Sequence, residues 1–374
     1  MEPVTHFLTG ACIGRAGLNR KTAYATLAAV LAAEAADIDV LWSFAGPVEG
    51  LKHHRGITHT FIGAPVMAAA AVGAVWFIHR WSEKRHARRV SVQVEDASAP
   101  TQQQRQPVRW LWVYLAALIS ALSHILLDWT NNYGVRPFYP FNPRWYEGSF
   151  VFIVEPVLWA LLFAALIFPW LFGLADREIG ARRTPFRGRG WAIFALSGMV
   201  VFWCWRWAEH AQAVAMLENT QITSAPVTRI AVQPYPINPF RWHAILETDS
   251  YYQTAEVNTH SDSIDTDPDR DLLYKPADTP AVEAAKRTPL GQVYLDWGRW
   301  AVVRDMGQEP VPGMDTPQLP PGRTWTAVEF YDLRFAYAFR GTGGASRPSP
   351  LSGWVYIVDG HEDAGEFMGG REQK

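Results

Sequence analysis

Ala121–Thr130, ALSHILLDWT, decides how the chain is read. It closes a run of about twenty mainly apolar residues, from Val108 onward, long enough to cross the roughly 30 Å hydrocarbon core of a bilayer as a helix. His124 and Asp128 sit four apart at its end, so on a helix their side chains share a face. Ionisable groups at the membrane boundary are costly to desolvate, and that cost usually reflects a function.

Working outward, apolar segments fall at 4–17, 22–42, 57–78, 108–128, 150–174 and 190–208. The last four are long enough to span. The second is Ala-rich and interrupted by Glu34, but its length also suffices; the first is short and reads as a tilted, partial or re-entrant helix. Basic residues collect on the cytoplasmic side of membrane proteins. Linker 79–109 carries seven Lys or Arg between Arg80 and Arg109, linker 175–190 carries five, and Arg15, Arg20 and Lys21 separate the first two segments. Loops 43–56 and 129–149 hold two basic residues each. The expected topology is therefore six segments in an inner membrane, multi-pass, with both termini on the outer side. No cleavable signal peptide is evident at the N-terminus.

The 374 residues carry a net charge of −2, which gives no argument for nucleic-acid binding. The two cysteines, Cys12 and Cys204, both lie in apolar segments and read as small buried residues rather than a disulfide. Val90–Gln106, rich in Ser, Gln, Pro and charge, reads as a disordered insertion. The aromatic- and proline-rich loop after Asp128 suits an ordered interfacial segment, where Trp and Tyr rings settle. From about Met216 the pattern turns to strands: VTRIAV, WHAILE, YYQTAEV, AVEFYDLRFAYAF and GWVYIVDG, with HSDSIDTDPDRD as an exposed acidic loop. The expected fold is an α-helical membrane bundle over residues 1–210, followed by a small β-rich extracytoplasmic domain over 211–374.

Placed on that topology, the ionisable residues of the bundle crowd at one end. His6 lies at the outer end of the first segment, Asp37 and Asp39 at the outer end of the second, and His53, His54, Arg55 and His59 lead into the third. His124 and Asp128 finish the fourth and Glu155 opens the fifth. Carboxylates with imidazoles and no thiolate suit Zn, Mn or Fe, with Zn the commonest hydrolytic choice. The set exceeds what one tetrahedral site needs, and two metals bridged by a carboxylate would use the surplus.

The motifs THFLTG (5–10), DID (37–39), HHRGITH (53–59) and HILLD (124–128) resemble those of membrane-bound metal-dependent hydrolases, the YdjM-like inner-membrane proteins, some of them described as LexA-binding. The resemblance covers about residues 1–170 and departs at Ala36, where a proline often precedes the first aspartate. More distantly, the order of motifs is similar to zinc-dependent phospholipase C and related nucleases. That likeness implies His6, Asp37 or Asp39, His54 or His59, His124 and Asp128 as metal ligands, with Asp128 a candidate bridge. The later HxxxE motif of the soluble enzymes is not found, and Glu155 is the candidate to replace it in part.

The sequence thus leads to an integral-membrane hydrolase holding one to three divalent ions and acting on a phosphoester in a lipid or lipid-linked substrate. Arg55 is the expected phosphate clamp, and Asp39 or Glu155 the expected base. A scaffold or regulator with a structural metal site is the alternative. A transporter would spread its ionisable residues through several depths, which this chain, Glu34 apart, does not do.

Overall fold

The fold comes from a computed structural model, which describes residues 1–93, 106–178, 188–267, 271–311, 313–336 and 351–373. Most of the expected 90–106 insertion, and the basic residues at 182, 183 and 187, lie outside the described residues. The chain resolves into two compact units. One comprises Met1–Ile38, Ile57–Gly148 and Ile153–Trp205; the other comprises Asp39–Gly56, Ser149–Phe152 and Arg206–Lys374.

The first unit is helical. α1 (Pro3–Arg15) and α2 (Ala25–Ala35) precede the longer α4 (Gly63–Gln93), α5 (Trp110–Thr130), α6 (Pro156–Glu178) and the start of α7 (Arg189–Asn219); α3 (Pro47–His53) belongs to the other unit. Among the described residues, four helices are long and apolar enough to cross a membrane: Gly63–Ala87, Trp110–Thr130, Pro156–Leu174 and Arg189–Asn219. The second sequence segment does not form the expected single span. α2 ends at Ala35 after 11 residues, about 16 Å of helix, and Ala36–Ala45 continues as a 3-10 helix.

Small residues let α1 and α2 pack closely. A Cβ on Gly10 would lie 2.8 Å from both the Ala29 carbonyl and Ala33 Cβ, and one on Gly14 would lie 2.5 Å from Thr26 Cα. Four residues apart on one helix face, the two glycines form the small-xxx-small pattern that brings backbones together. α5 is the most enclosed of the four long helices. Ala117, Ala121 and Ile125 pack with Ala28 and Ala32 of α2 and Ala64, Ala68 and Ala71 of α4. The turn between α1 and α2 meets the start of α5: Ala23 donates to Pro107 O at 3.2 Å, and Arg109 donates to Thr22 Oγ1 at 2.8 Å. The hairpin therefore runs alongside α5, although neither of its helices has membrane length. Cys12 is buried as expected, whereas Cys204 is exposed on α7; both are free thiols.

The second unit is built from antiparallel sheets. β1 (Arg229–Pro234), β2 (Arg241–Glu247), β3 (Tyr251–Asn258) and β4 (Ser263–Asp265) form one in that order, with β5 (Leu272–Tyr274) also on β3. Part of the expected acidic loop is thus strand β4. The other sheet runs β10 (Arg371–Glu372), β9 (Glu362–Met368), β8 (Gly353–Val358), β7 (Trp325–Asp332), β6 (Ala301–Asp305). Ile245 of the first sheet shares a core with Trp300, Val302 and Leu333. Two short helices not anticipated from the sequence, α8 (Pro280–Arg287) and α9 (Pro289–Trp297), begin at Thr279 and Thr288, whose hydroxyls cap Val282 and Gly291.

Candidate metal centre

Each side chain of the first unit's polar cluster is aimed by local structure. α1 starts at Glu2, whose carboxylate accepts the Thr5 amide at 2.9 Å and the Trp159 indole N–H at 2.7 Å. Pro3 follows in the first turn, where its missing N–H costs nothing. His6 is held one turn in, fully buried. Asp37 is the second residue of the 3-10 stretch and is a quarter exposed. His59 ends a short 3-10 turn, Ile57–His59, with its Nδ1 3.0 Å from Thr58 Oγ1. Thr60 locks that turn to α4, donating to Ile57 O and accepting the Gly63 amide, both at 2.8 Å.

His124 and Asp128 lie one turn apart on α5, as the sequence spacing requires, and both are buried. His124 Nδ1 lies 2.5 Å from the Ala33 carbonyl oxygen, an acceptor only, so this nitrogen carries the proton. Its Nε2 faces Asp128 Oδ2 at 3.3 Å and Asp37 Oδ1 at 3.6 Å. His59 Nε2 faces the same two oxygens, at 3.4 and 3.3 Å respectively. His6 Nε2 lies 3.4 Å from Asp128 Oδ1, which also meets the main-chain nitrogen of Met1. The His6 ring stacks on His124 with centroids 3.7 Å apart.

These separations can be set against both a hydrogen-bonded seam and a coordination site. N–H···O bonds cluster at about 2.7–3.2 Å. Donor atoms roughly 2.1 Å from a shared tetrahedral ion stand about 3.4 Å from one another. The five imidazole–carboxylate separations, 3.3–3.6 Å, match the second distance. With its proton committed to Ala33, a neutral His124 turns a lone pair toward carboxylate oxygens, and such opposed acceptors need a cation or a second proton between them. Buried His6 Nε2 and His124 Nε2 make no hydrogen bond. His6, His124 and Asp128 form one possible ligand group and Asp37, His59 and His124 another, each with its ligand atoms within 4.8 Å. His124 is common to both. Asp128 presents one oxygen to His6 and the other to His59 and His124, the arrangement of a bridging carboxylate.

The remaining expected site residues sit elsewhere. In the second unit, buried Asp39 accepts the Arg55 backbone N–H at 2.7 Å through Oδ2, and its Oδ1 lies 3.5 Å from His54 Nδ1. Arg55 takes the left-handed conformation, φ 50°, which puts its amide in reach of Asp39. His53 pairs with Glu49 at 3.2 Å and stacks on Trp42. The hydrogen bond from Lys52 holds the Glu49 carboxyl below its ordinary range. Glu155 is buried just before α6, its carboxylate 3.5 Å from the Val157 amide, and joins neither ligand group.

Sequence reading passed over the Ala33 carbonyl, a backbone group with no residue signature. It also passed over buried Asn131, Asn132 and Arg136 directly after the α5 motif. Asn131 Oδ1 accepts the Tyr133 amide, and the Arg136 guanidinium lies 4.5 Å from the Trp145 ring centre. The signal available was the doubled asparagine immediately following the HxxxD motif.

Residues 1–213 match the family described as YdjM inner membrane protein, more than half of the chain. The chain belongs to this family. The YdjM match covers every residue of both ligand groups and all four long apolar helices up to the last turns of α7, so the chain is a membrane protein. It is also similar to the "Uncharacterized protein YfhP" of Bacillus subtilis (strain 168), 22% identical over 174 residues, which is 44% of this chain and 45% of that protein. The chain thus spans less than half the length of this relative. No solved structure matches the chain.

Proposed function

We propose that this YdjM-family protein is a metal-dependent hydrolase acting on a phosphoester in a lipid or lipid-linked substrate. The observation that carries the reading is the set of buried imidazole and carboxylate atoms 3.3–3.6 Å apart, spaced for a shared ion rather than for each other. All-N/O donors suit zinc, with manganese or iron the other fits. A divalent ion there would supply Lewis acidity and acidify a water molecule near neutral pH.

The chain's own groups supply the rest. The Ala33 carbonyl fixes the His124 tautomer and ring, the outer-shell device that orients metal-binding histidines. Asp37, the most exposed of the ligands, marks the side from which substrate arrives. Arg55 of the HHRGITH motif is the proposed phosphate-binding residue, its planar fork matching phosphate oxygens.

The membrane arrangement supports a lipid-borne substrate. On the proposed orientation the basic linkers 79–109 and 175–190 face the cytoplasm, where Lys and Arg collect. The C-terminal end of α5, which carries His124 and Asp128, then lies toward the other face. The test is turnover. Purified protein in mixed micelles is offered phospholipids of differing headgroup, with release of phosphate or phospho-headgroup followed. Activity that is lost with a chelator, restored by zinc or manganese and absent in Asp128→Asn supports the reading. Full metal loading without turnover of any phosphoester contradicts it and leaves a structural metal site.

A further inference from the structure

We propose that Gln373 is a positioning residue for the metal centre, acting through the segment that runs from Ala45 to Arg55; this rests on the metal-centre reading above. Gln373, directly after β10, is held against β9 by a bond from its own amide to Glu366 O, 2.8 Å. Its side chain grips the segment at both edges of a turn: Oε1 accepts the Val48 N–H at 2.9 Å, and Nε2 donates to Ala45 O at 3.2 Å. Gly46 lies between them with φ 127°, a conformation other residues rarely adopt, and a Cβ there would overlap the Gln373 amide. The turn and the amide are therefore fitted to each other.

The gripped segment lies within a closed loop, Asp39 to Arg55. α3 starts at Pro47, directly after the turn, and ends at His53. Two residues later the Arg55 amide is bonded to Asp39, which closes the loop on its own beginning. Its covalent neighbours are metal-centre residues: Asp37 precedes Asp39 by two positions, and His59 follows Arg55 by four. Two residues of chain reach at most about 7 Å, so a displacement of Asp39 has little slack before it moves Asp37. Two ligand candidates, Asp37 and His59, thus flank this loop in the chain, two and four residues beyond its closing bond.

The test uses full-length protein in detergent and zinc affinity by competition with a chromophoric chelator, with the visible spectrum of the cobalt-loaded protein as second readout. Gln373→Met keeps the length and removes both bonds. Gln373→Glu keeps the acceptor for Val48, and Gly46→Ala displaces the amide from the opposite side. The expected result is about tenfold weaker zinc binding at unchanged stoichiometry in Gln373→Met and Gly46→Ala, as for loss of an outer-shell partner, with an altered cobalt spectrum and substantial recovery in Gln373→Glu. Should Gln373→Met not fold, Gln373→Asn, too short to bridge both partners, is expected to show the same weakening. Wild-type affinity and an unchanged cobalt spectrum in the folded variants would overturn this proposal and leave the metal centre standing. Wild-type protein that binds no zinc would instead remove the metal centre, and this inference with it.

Discussion

His124 places its Nδ1 2.5 Å from the carbonyl oxygen of Ala33, and that single contact aims Nε2 at the Asp128 carboxylate, 3.3 Å away. Two helices are tied at the point where the candidate metal ligands gather. The contact accounts for the buried alanines of α2: a larger side chain at Ala29, Ala32 or Ala33 would hold its backbone away from α5 or α1. It also predicts that His124→Ala removes ligands from both groups at once, whereas His6→Ala removes one from the first group only. Metal content of the two purified variants should fall to near zero and to an intermediate level, respectively.

Packing of α1 should be as sensitive as the ligands. Gly10→Val and Gly14→Val each drive a side chain into α2, at Ala29 and Ala33 or at Thr26. Overpacking of this kind costs about 1–3 kcal/mol. Both variants should unfold at lower temperature in detergent and lose metal through displacement of His6. Gly73→Ala, where nothing lies within 4 Å of the added carbon, should behave as wild type in both measurements.

In the β-rich unit, Arg334 and Asp332 form a fully buried pair at 2.9 Å, and Asp332 also accepts the Trp300 and Arg334 amides. Removing one partner leaves an uncompensated buried charge, a loss of about 3–5 kcal/mol. Arg334→Met should lower the denaturation midpoint of this unit sharply. The double variant Arg334→Met/Asp332→Asn should lose less than the sum of the single changes.

Burial raises the Glu366 carboxyl above its ordinary value, partly offset by the Leu290 amide it accepts. Between the ordinary and the raised value the folded state binds more protons than the unfolded state. Stability from this group is therefore greatest in acid, declines as pH rises through that window, and stays lower above it. Glu366→Gln, which keeps an acceptor for Leu290, should flatten this part of the stability–pH profile of the β-rich unit and raise its stability at neutral pH.

Much of the candidate centre was legible because helical periodicity is local: His124 and Asp128 four apart fix a shared face whatever surrounds them. The long apolar helices and the main strands were legible for the same reason, as runs with one repeat. The second span was misread because hydrophobicity measures length without winding. Residues 22–42 are apolar enough, but the α-helix stops at Ala35 and a 3-10 stretch carries Asp37 and Asp39. Nor could sequence show that Asp39–Gly56 folds with residues beyond Arg206. That association rests on contacts such as Gln373 with Val48, more than three hundred positions apart. Strand β6 and helices α8 and α9 escaped because their segments are short, and the two helices each begin at a proline.

The proposed sidedness can be read by labelling. In a background with the exposed Cys204 replaced by alanine, single cysteines at Arg88 and Asp262 are offered an impermeant thiol reagent in intact cells. Labelling of Asp262→Cys with Arg88→Cys spared is the expected outcome. The reverse pattern would invert the topology and place the metal centre at the cytoplasmic face.

The central claim is that the buried imidazoles and carboxylates around His124 and Asp128 are spaced for a metal ion. Elemental mass spectrometry of the detergent-purified protein, beside His124→Ala and Asp128→Ala, tests it most directly. The account predicts about one to two equivalents of zinc or manganese per chain, as two ligand groups sharing His124 allow, and loss of the ion in both variants. Protein that stays folded yet holds no divalent ion, even after reconstitution, would contradict it and reduce the cluster to a polar seam between helices.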